Sequence, residues 1–155
     1  MASIGVRRAS FDDIDDLVAL MREFYAESDY PLDVTWARQA FEQLLSDPSR
    51  GCVWLLTFEN EIVGHVVLTV RFAMEFGGLS AYVDDLFVRA SHRRRGVARA
   101  GLKELISEAT RRGCRSLHVE VDPEDAAAMA LYAEFGLAKR KDQRLELETL
   151  LRGHR

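Results

Sequence analysis

The sequence predicts an α/β fold with a mixed, mainly antiparallel central sheet flanked by helices, in the order β-α-α-β-β-β-α-β-α-β. Two patterns carry that prediction. Apolar residues recur at helical spacing in four segments and in strand-like runs in six others. Gly, Pro, Asn and Asp fall between them, with no internal repeat, linker or low-complexity block. Residues 4–151 therefore read as one domain, and 155 residues suffice to bury a core without staples.

Ile4 to Ala9 reads as the first strand. Ser10 caps the next helix, with Asp13 three residues on in the manner of a capping box. Ile14, Leu17, Val18, Met21, Phe24 and Tyr25 form its apolar stripe, and Ser28-Asp29-Tyr30-Pro31 breaks it. A second helix runs through Ala37, Ala40, Phe41, Leu44 and Leu45 to Asp47-Pro48. Cys52 to Phe58 and Ile62 to Phe72 are rich in Val, Leu, Thr and aromatics, so they read as an antiparallel hairpin around Glu59-Asn60-Glu61. Gly77-Gly78 turns the chain into a further strand, Leu79 to Arg89. Ala98, Leu102, Leu105, Ile106 and Ala109 mark a helix that stops at Arg112-Gly113. Ser116 to Val121 alternates as the fifth strand. Asp122-Pro123-Glu124-Asp125 has the composition of a helix start, with Asp122 as cap, Pro123 at the first helical position and acids in the first turn. Ala128, Leu131, Tyr132 and Phe135 line the last helix, Gly136 closes it, and Leu145 and Leu147 suggest a final strand.

Composition narrows the functional classes. Hydrophobic residues make up 48% and charged residues 30%, the mix of a soluble globular protein, and the net charge of −4 argues against general nucleic-acid binding. Cys52 and Cys114 have no second Cys or His at ligand spacing, so they read as buried free thiols and no metal is expected. No run approaches a membrane span and the N-terminus lacks a signal-like apolar core, so a cytoplasmic protein with no membrane partner is expected.

Against this acidic background stands the run Arg93-Arg94-Arg95-Gly96-Val97-Ala98, between an apolar strand and an amphipathic helix. A glycine with small neighbours at a helix start lets unpaired N–H groups and the positive dipole end meet an anion, with Arg93, Arg94, Arg95 and Arg99 adding charge. The alternative reading is a solvated arginine face.

The element order and two motifs resemble the GNAT superfamily of acetyl-CoA-dependent N-acetyltransferases. The family pattern Gln/Arg-x-x-Gly-x-Gly/Ala is met by Arg93-x-x-Gly96-x-Ala98, after the strand Asp85-Leu86-Phe87-Val88. A second pattern, Asn-x-x-Ala-x-x-Leu-Tyr-x-x-x-Gly-Phe, is met by Asp125-x-x-Ala128-x-x-Leu131-Tyr132-x-x-x-Gly136-Leu137, with Asp125 in place of Asn and Leu137 in place of Phe. Two motifs at the right separation are more specific than either alone.

The resemblance implies acetyl-CoA between the fourth and fifth strands. Its pantetheine would pair with the backbone around Leu86, Phe87 and Val88, and its pyrophosphate would sit on the amides of Arg94, Arg95, Gly96, Val97, Ala98 and Arg99. Arg93, Asp125, Ala128 and Tyr132 complete the implied cofactor site. The reaction implied is transfer of acetyl to a primary amine, on a small cationic molecule or a peptide. Tyr132 matches the family position whose phenol protonates the leaving thiolate, although Leu131-Tyr132-Phe135 is also a core stripe.

Transfer to an ammonium requires a base. Asp84 is the first candidate by analogy with the family, Glu120 on the fifth strand the second, and His118 the third. Strand alternation places Asp84 and Asp85 on opposite faces of the sheet, and the alternative role for each is an arginine pair or a helix cap. His65 has the weaker claim of a lone strand histidine. A GNAT-fold protein that binds acetyl-CoA as a sensor without catalysis is the alternative. Homodimerisation is an expectation from relatives alone.

Overall fold

The computed structural model describes residues 1–151, and its chain divides into two compact units, one ending at Asp122 and one beginning at Pro123. In the first unit, β1 (Ile4–Arg8), β2 (Gly51–Phe58), β3 (Glu61–Ala73), β4 (Gly78–Val88) and β5 (Ser116–Val119) form one sheet in the order β1-β2-β3-β4-β5. The first three pairings are antiparallel and β4 pairs β5 in parallel. A parallel pair needs a crossover, supplied here by helix α3 (Val97–Arg111).

Helices α1 (Ile14–Glu27) and α2 (Val34–Ser46) cover one face of the sheet. Leu17, Val18, Leu20, Ala37 and Phe41 pack there with Val53, Leu55, Val67 and Phe87. α3 covers the other face, where Gly101 lets it settle onto the sheet. A Cβ at Gly101 would lie 2.9 Å from Leu56 Cδ2. With both faces covered, β2 is buried from Gly51 to Leu56, which explains its unbroken apolar run.

Local signals act as the sequence predicts at several ends. The Asp13 carboxylate accepts a hydrogen bond from the Ser10 amide (2.8 Å) and pairs with the Arg7 guanidinium at 2.9 and 3.0 Å. Asp33 caps α2 by accepting from the Trp36 amide at 3.0 Å. Glu59 and Asn60 both take positive φ, as a tight hairpin turn of right-handed strands requires. Cys52 is buried, but Cys114 is only half-buried, and desolvation pushes both thiols up from their ordinary acidity.

In the second unit, α4 spans Ala126–Glu134, with Asp125 as its cap, accepting from the Ala128 amide at 3.0 Å. The predicted start at Asp122-Pro123 is therefore corrected: Pro123 and Glu124 form a turn, and the carboxylate that reaches an orphan amide belongs to Asp125. Gly136 closes the helix at φ 85°, with the Leu137 amide donating to the Tyr132 carbonyl at 3.1 Å.

The predicted final strand does not form: residues 137–150 hold no regular element, and Leu145 and Leu147 are 86% and 89% exposed. Alternating leucines alone make no ladder. Among the described residues this unit contains no strand to supply hydrogen-bond partners, and Arg140 and Arg144 instead clamp Asp142 at 2.7 and 2.6 Å.

Candidate active site

β4 carries the site, and its pairing with β3 is irregular. Val67 faces Asp85 and Leu68 faces Val83, so Asp84 is an extra residue, a β-bulge. The bulge overturns the expectation from alternation. Asp84 and Asp85 do not point to opposite faces; both line one cavity on the α1 and α2 side of the sheet, of about 140 Å³. Met21 and Tyr25 of α1, Trp36, Ala40, Phe41 and Leu44 of α2, and Val67 complete its wall.

Asp84 opens to solvent at this cavity, yet desolvation by its surroundings, and then the neighbouring charge of Asp85, push its carboxyl above the usual carboxylate range. The Thr69 hydroxyl, at 3.5 Å, opposes this weakly. Behind Asp85 lies His65, fully buried, with Nε2 3.9 Å from Asp85 Oδ2. Neither ring nitrogen has a hydrogen-bond partner among the described residues, and the ring packs against Phe41 and Phe87.

β4 outruns β5. Their parallel pairing covers Ser80 to Val83 only, so the segment from Asp84 through Leu86, Phe87 and Val88 has no strand on that edge in the first unit. Immediately after it comes the basic turn. Arg94 (φ 62°) and Gly96 (φ 87°) are both left-handed, and Gly96 is the residue before the first helical position, Val97. A non-glycine residue in that conformation stores about 1–3 kcal/mol of strain, a feature that clusters where a loop clamps a ligand. The amides of Val97, Ala98 and Arg99 lie in the first turn of α3, where no intrahelical carbonyl is available to them.

The arginines divide their work. Arg93 turns inward: its Nε donates to the Val88 carbonyl at 2.8 Å and its Nη2 to Glu27 at 2.7 Å, while its guanidinium lies over the Phe87 ring. It holds the turn against the end of β4. Arg95 lies over the Phe58 ring.

The other predicted residues are distributed more widely. Glu120 is not on the fifth strand, which ends at Val119; it is exposed in the loop that follows. His118 is on β5, stacked on Tyr82 with ring centroids 4.9 Å apart and Nε2 2.9 Å from Ser116 Oγ. In the second unit, Asp125 and Ala128 are joined by the helix cap, and the Tyr132 phenol is pushed up to about 12, by burial first and then by the Asp125 charge.

Tyr25 and Phe41, core stripe residues by their spacing, line the cavity together with Trp36, which no stripe marks. The usable signal is the density of aromatic residues at the facing ends of two helices that flank one acidic strand.

The family model described as Acetyltransferase (GNAT) family matches residues 14–137. An integron cassette protein from the mobile metagenome of Cole Harbour Salt Marsh is 37% identical, with a TM-score of 0.84, over 94% of this chain and 90% of that one. A predicted acetyltransferase from Clostridium acetobutylicum, solved with acetyl-CoA, is 18% identical, with a TM-score of 0.79, over 94% of this chain and 96% of its own. An aminoglycoside N-acetyltransferase in complex with CoA is 15% identical, with a TM-score of 0.81, over 97% and 96% of the two chains. The last two are likenesses of fold. A search of curated proteins found no match. Because the family match runs from the first residue of α1 past the end of α4, and so takes in the bulged strand and the left-handed turn, the chain belongs to the GNAT family of acetyltransferases.

Proposed function

We propose that residues 4–151 work as a single N-acetyltransferase domain that passes an acetyl group from acetyl-CoA to a primary amine of a small cationic substrate. The bulge at Asp84 is the observation that carries this reading, because it brings two carboxylates to one cavity beside the stretch of β4 that β5 does not pair. Acetyl-CoA supplies the activated acetyl group. The open edge from Asp84 to Val88 suits an extended amide-bearing chain, and the left-handed turn with the first amides of α3 suits a pyrophosphate. In this reading Arg94 to Arg99 bind through their backbone, and Arg93 holds the turn.

An amine attacks only when neutral. Asp84 accepts the proton from the ammonium nitrogen, directly or through a water, and its raised basicity favours that transfer. Glu120 is the second choice of base. Tyr132 stays protonated at neutral pH, so its Oη–H remains available to protonate the leaving sulfur. Cytoplasmic location and pairing as a homodimer belong to the same reading.

Thiol release measured on a panel of primary amines tests it. Turnover that requires Asp84 supports the transferase. Stabilisation by acetyl-CoA with no thiol release on any amine would mark a protein that binds acetyl-CoA without transferring its acetyl group.

A further inference from the structure

Resting on the transferase reading above, we infer that the acceptor is a compact apolar monoamine, an aryl- or branched-alkyl primary ammonium, whose hydrocarbon part fills the cavity beside α2 and whose nitrogen meets Asp84. The cavity measures about 140 Å³. An apolar protein cavity of about 150 Å³ holds a benzene molecule, so the space takes one ring or a short branched chain, and anything larger extends past its open mouth at Asp84.

Its wall has matching chemistry. Tyr25, Trp36, Phe41 and Leu44 present apolar and aromatic surface, and the two carboxylates lie together on the strand side. Aromatic faces attract an ammonium as well as its hydrocarbon, whereas each hydroxyl of a polyhydroxylated substrate enclosed here would need its own partner. The carboxylates also differ in their neighbours. Asp85 has the buried His65 imidazole 3.9 Å away, while Asp84 has Thr69 at 3.5 Å and the cavity itself. Asp84 is also the more exposed of the two, so a single positive charge at the cavity mouth meets it first. The bulge makes the anchor possible, since a regular strand would turn Asp84 to the α3 side.

Isothermal titration of the full chain without acetyl-CoA, using 2-phenylethylamine, its neutral analogue 2-phenylethanol and kanamycin, tests the class of ligand apart from turnover. The expected result is binding of 2-phenylethylamine at least tenfold tighter than either other probe. Asp84→Asn should weaken it at least tenfold, and Ala40→Trp, which fills the cavity, should abolish it. Leu44→Trp repeats the filling test if Ala40→Trp shows no cooperative melt. Tighter binding of kanamycin, or 2-phenylethylamine binding that survives cavity filling with an intact melt, overturns the inference. If other amines release thiol while 2-phenylethylamine fails to bind, the acceptor class falls and the transferase stands. If 2-phenylethylamine binds as expected and no amine releases thiol, the ligand class holds and the transferase falls.

Discussion

Replacing His65 with leucine should make the protein more stable. The ring is fully buried on β3, its two nitrogens have no hydrogen-bond partner among the described residues, and its nearest carboxylate oxygen is 3.9 Å away. A buried polar group left unpaired costs about 1–3 kcal/mol. Leucine fits a comparable volume, suits the apolar surroundings of Phe41 and Phe87, and removes that cost. Against it stands the loss of edge contacts with those two rings, worth about 0.5–1.5 kcal/mol each at most. At 6.4 and 6.2 Å between centroids these contacts are at the long end of the range, so the lower figure applies. The net gain is roughly 1 kcal/mol, or a rise in Tm of about 2–4 °C for a protein of this size. Thermal unfolding followed by circular dichroism at pH 8 reads it directly. A fall of 4 °C or more on His65→Leu would mean that the imidazole contributes hydrogen bonds to the native state, and the reasoning from an unpaired buried ring would be wrong.

Other outcomes follow from the site and its supports. Asp84→Asn should lower kcat/KM by about 10²–10⁴-fold. It should also remove the acid limb of the wild-type profile, which lies above the ordinary carboxylate range because activity needs Asp84 ionised and is lost as pH falls through its raised value; an unchanged limb would assign the base elsewhere. Tyr132→Phe should cut kcat by about 10²-fold while leaving the affinity for acetyl-CoA within about twofold, and equal losses in both would make Tyr132 a packing residue. Gly96→Ala should lose about 1–2 kcal/mol, seen as a lower Tm, because the left-handed conformation is strained even though the nearest atom to its Cβ, Ile4 Cδ1, is 3.7 Å away. Gly96→Trp should abolish stabilisation by acetyl-CoA, and stabilisation that persists would move the pyrophosphate site. Acid sensitivity has a defined sign. The Arg7 guanidinium holds Asp13, and Arg111 and Arg112 hold Glu108, below the usual carboxylate range. Their stabilising contribution is complete above about pH 4–5 and is lost as pH falls through the depressed native values. Tm measured from pH 6 to pH 3 should therefore drop less in Asp13→Asn than in the wild type.

Much of this architecture was legible because its signals are local. The stripes of α1 and α2, the Glu59-Asn60 hairpin, the Ser10 and Asp13 start and the Gly136 stop each depend on residues within a turn or two, so spacing and composition determine them. The same holds for the turn at Gly96, where the glycine announces a left-handed backbone before a helix.

Local pattern is enough for the elements through α3 and β5, the acidic strand, the basic turn after it and the family resemblance. Tertiary structure decided how the acidic strand is used. Whether Asp84 and Asp85 face apart or together depends on one extra residue in the pairing of β4 with β3, between Val67 and Leu68, and cross-strand register leaves no mark in the pattern of either strand. It also decided that Arg93 turns inward to Val88 and Glu27, that Asp125 caps α4 in place of Asp122, and that Leu145 and Leu147 join no ladder. Each outcome is a choice among partners distant in the chain or among competing caps, and only the folded geometry settles which partner lies within reach.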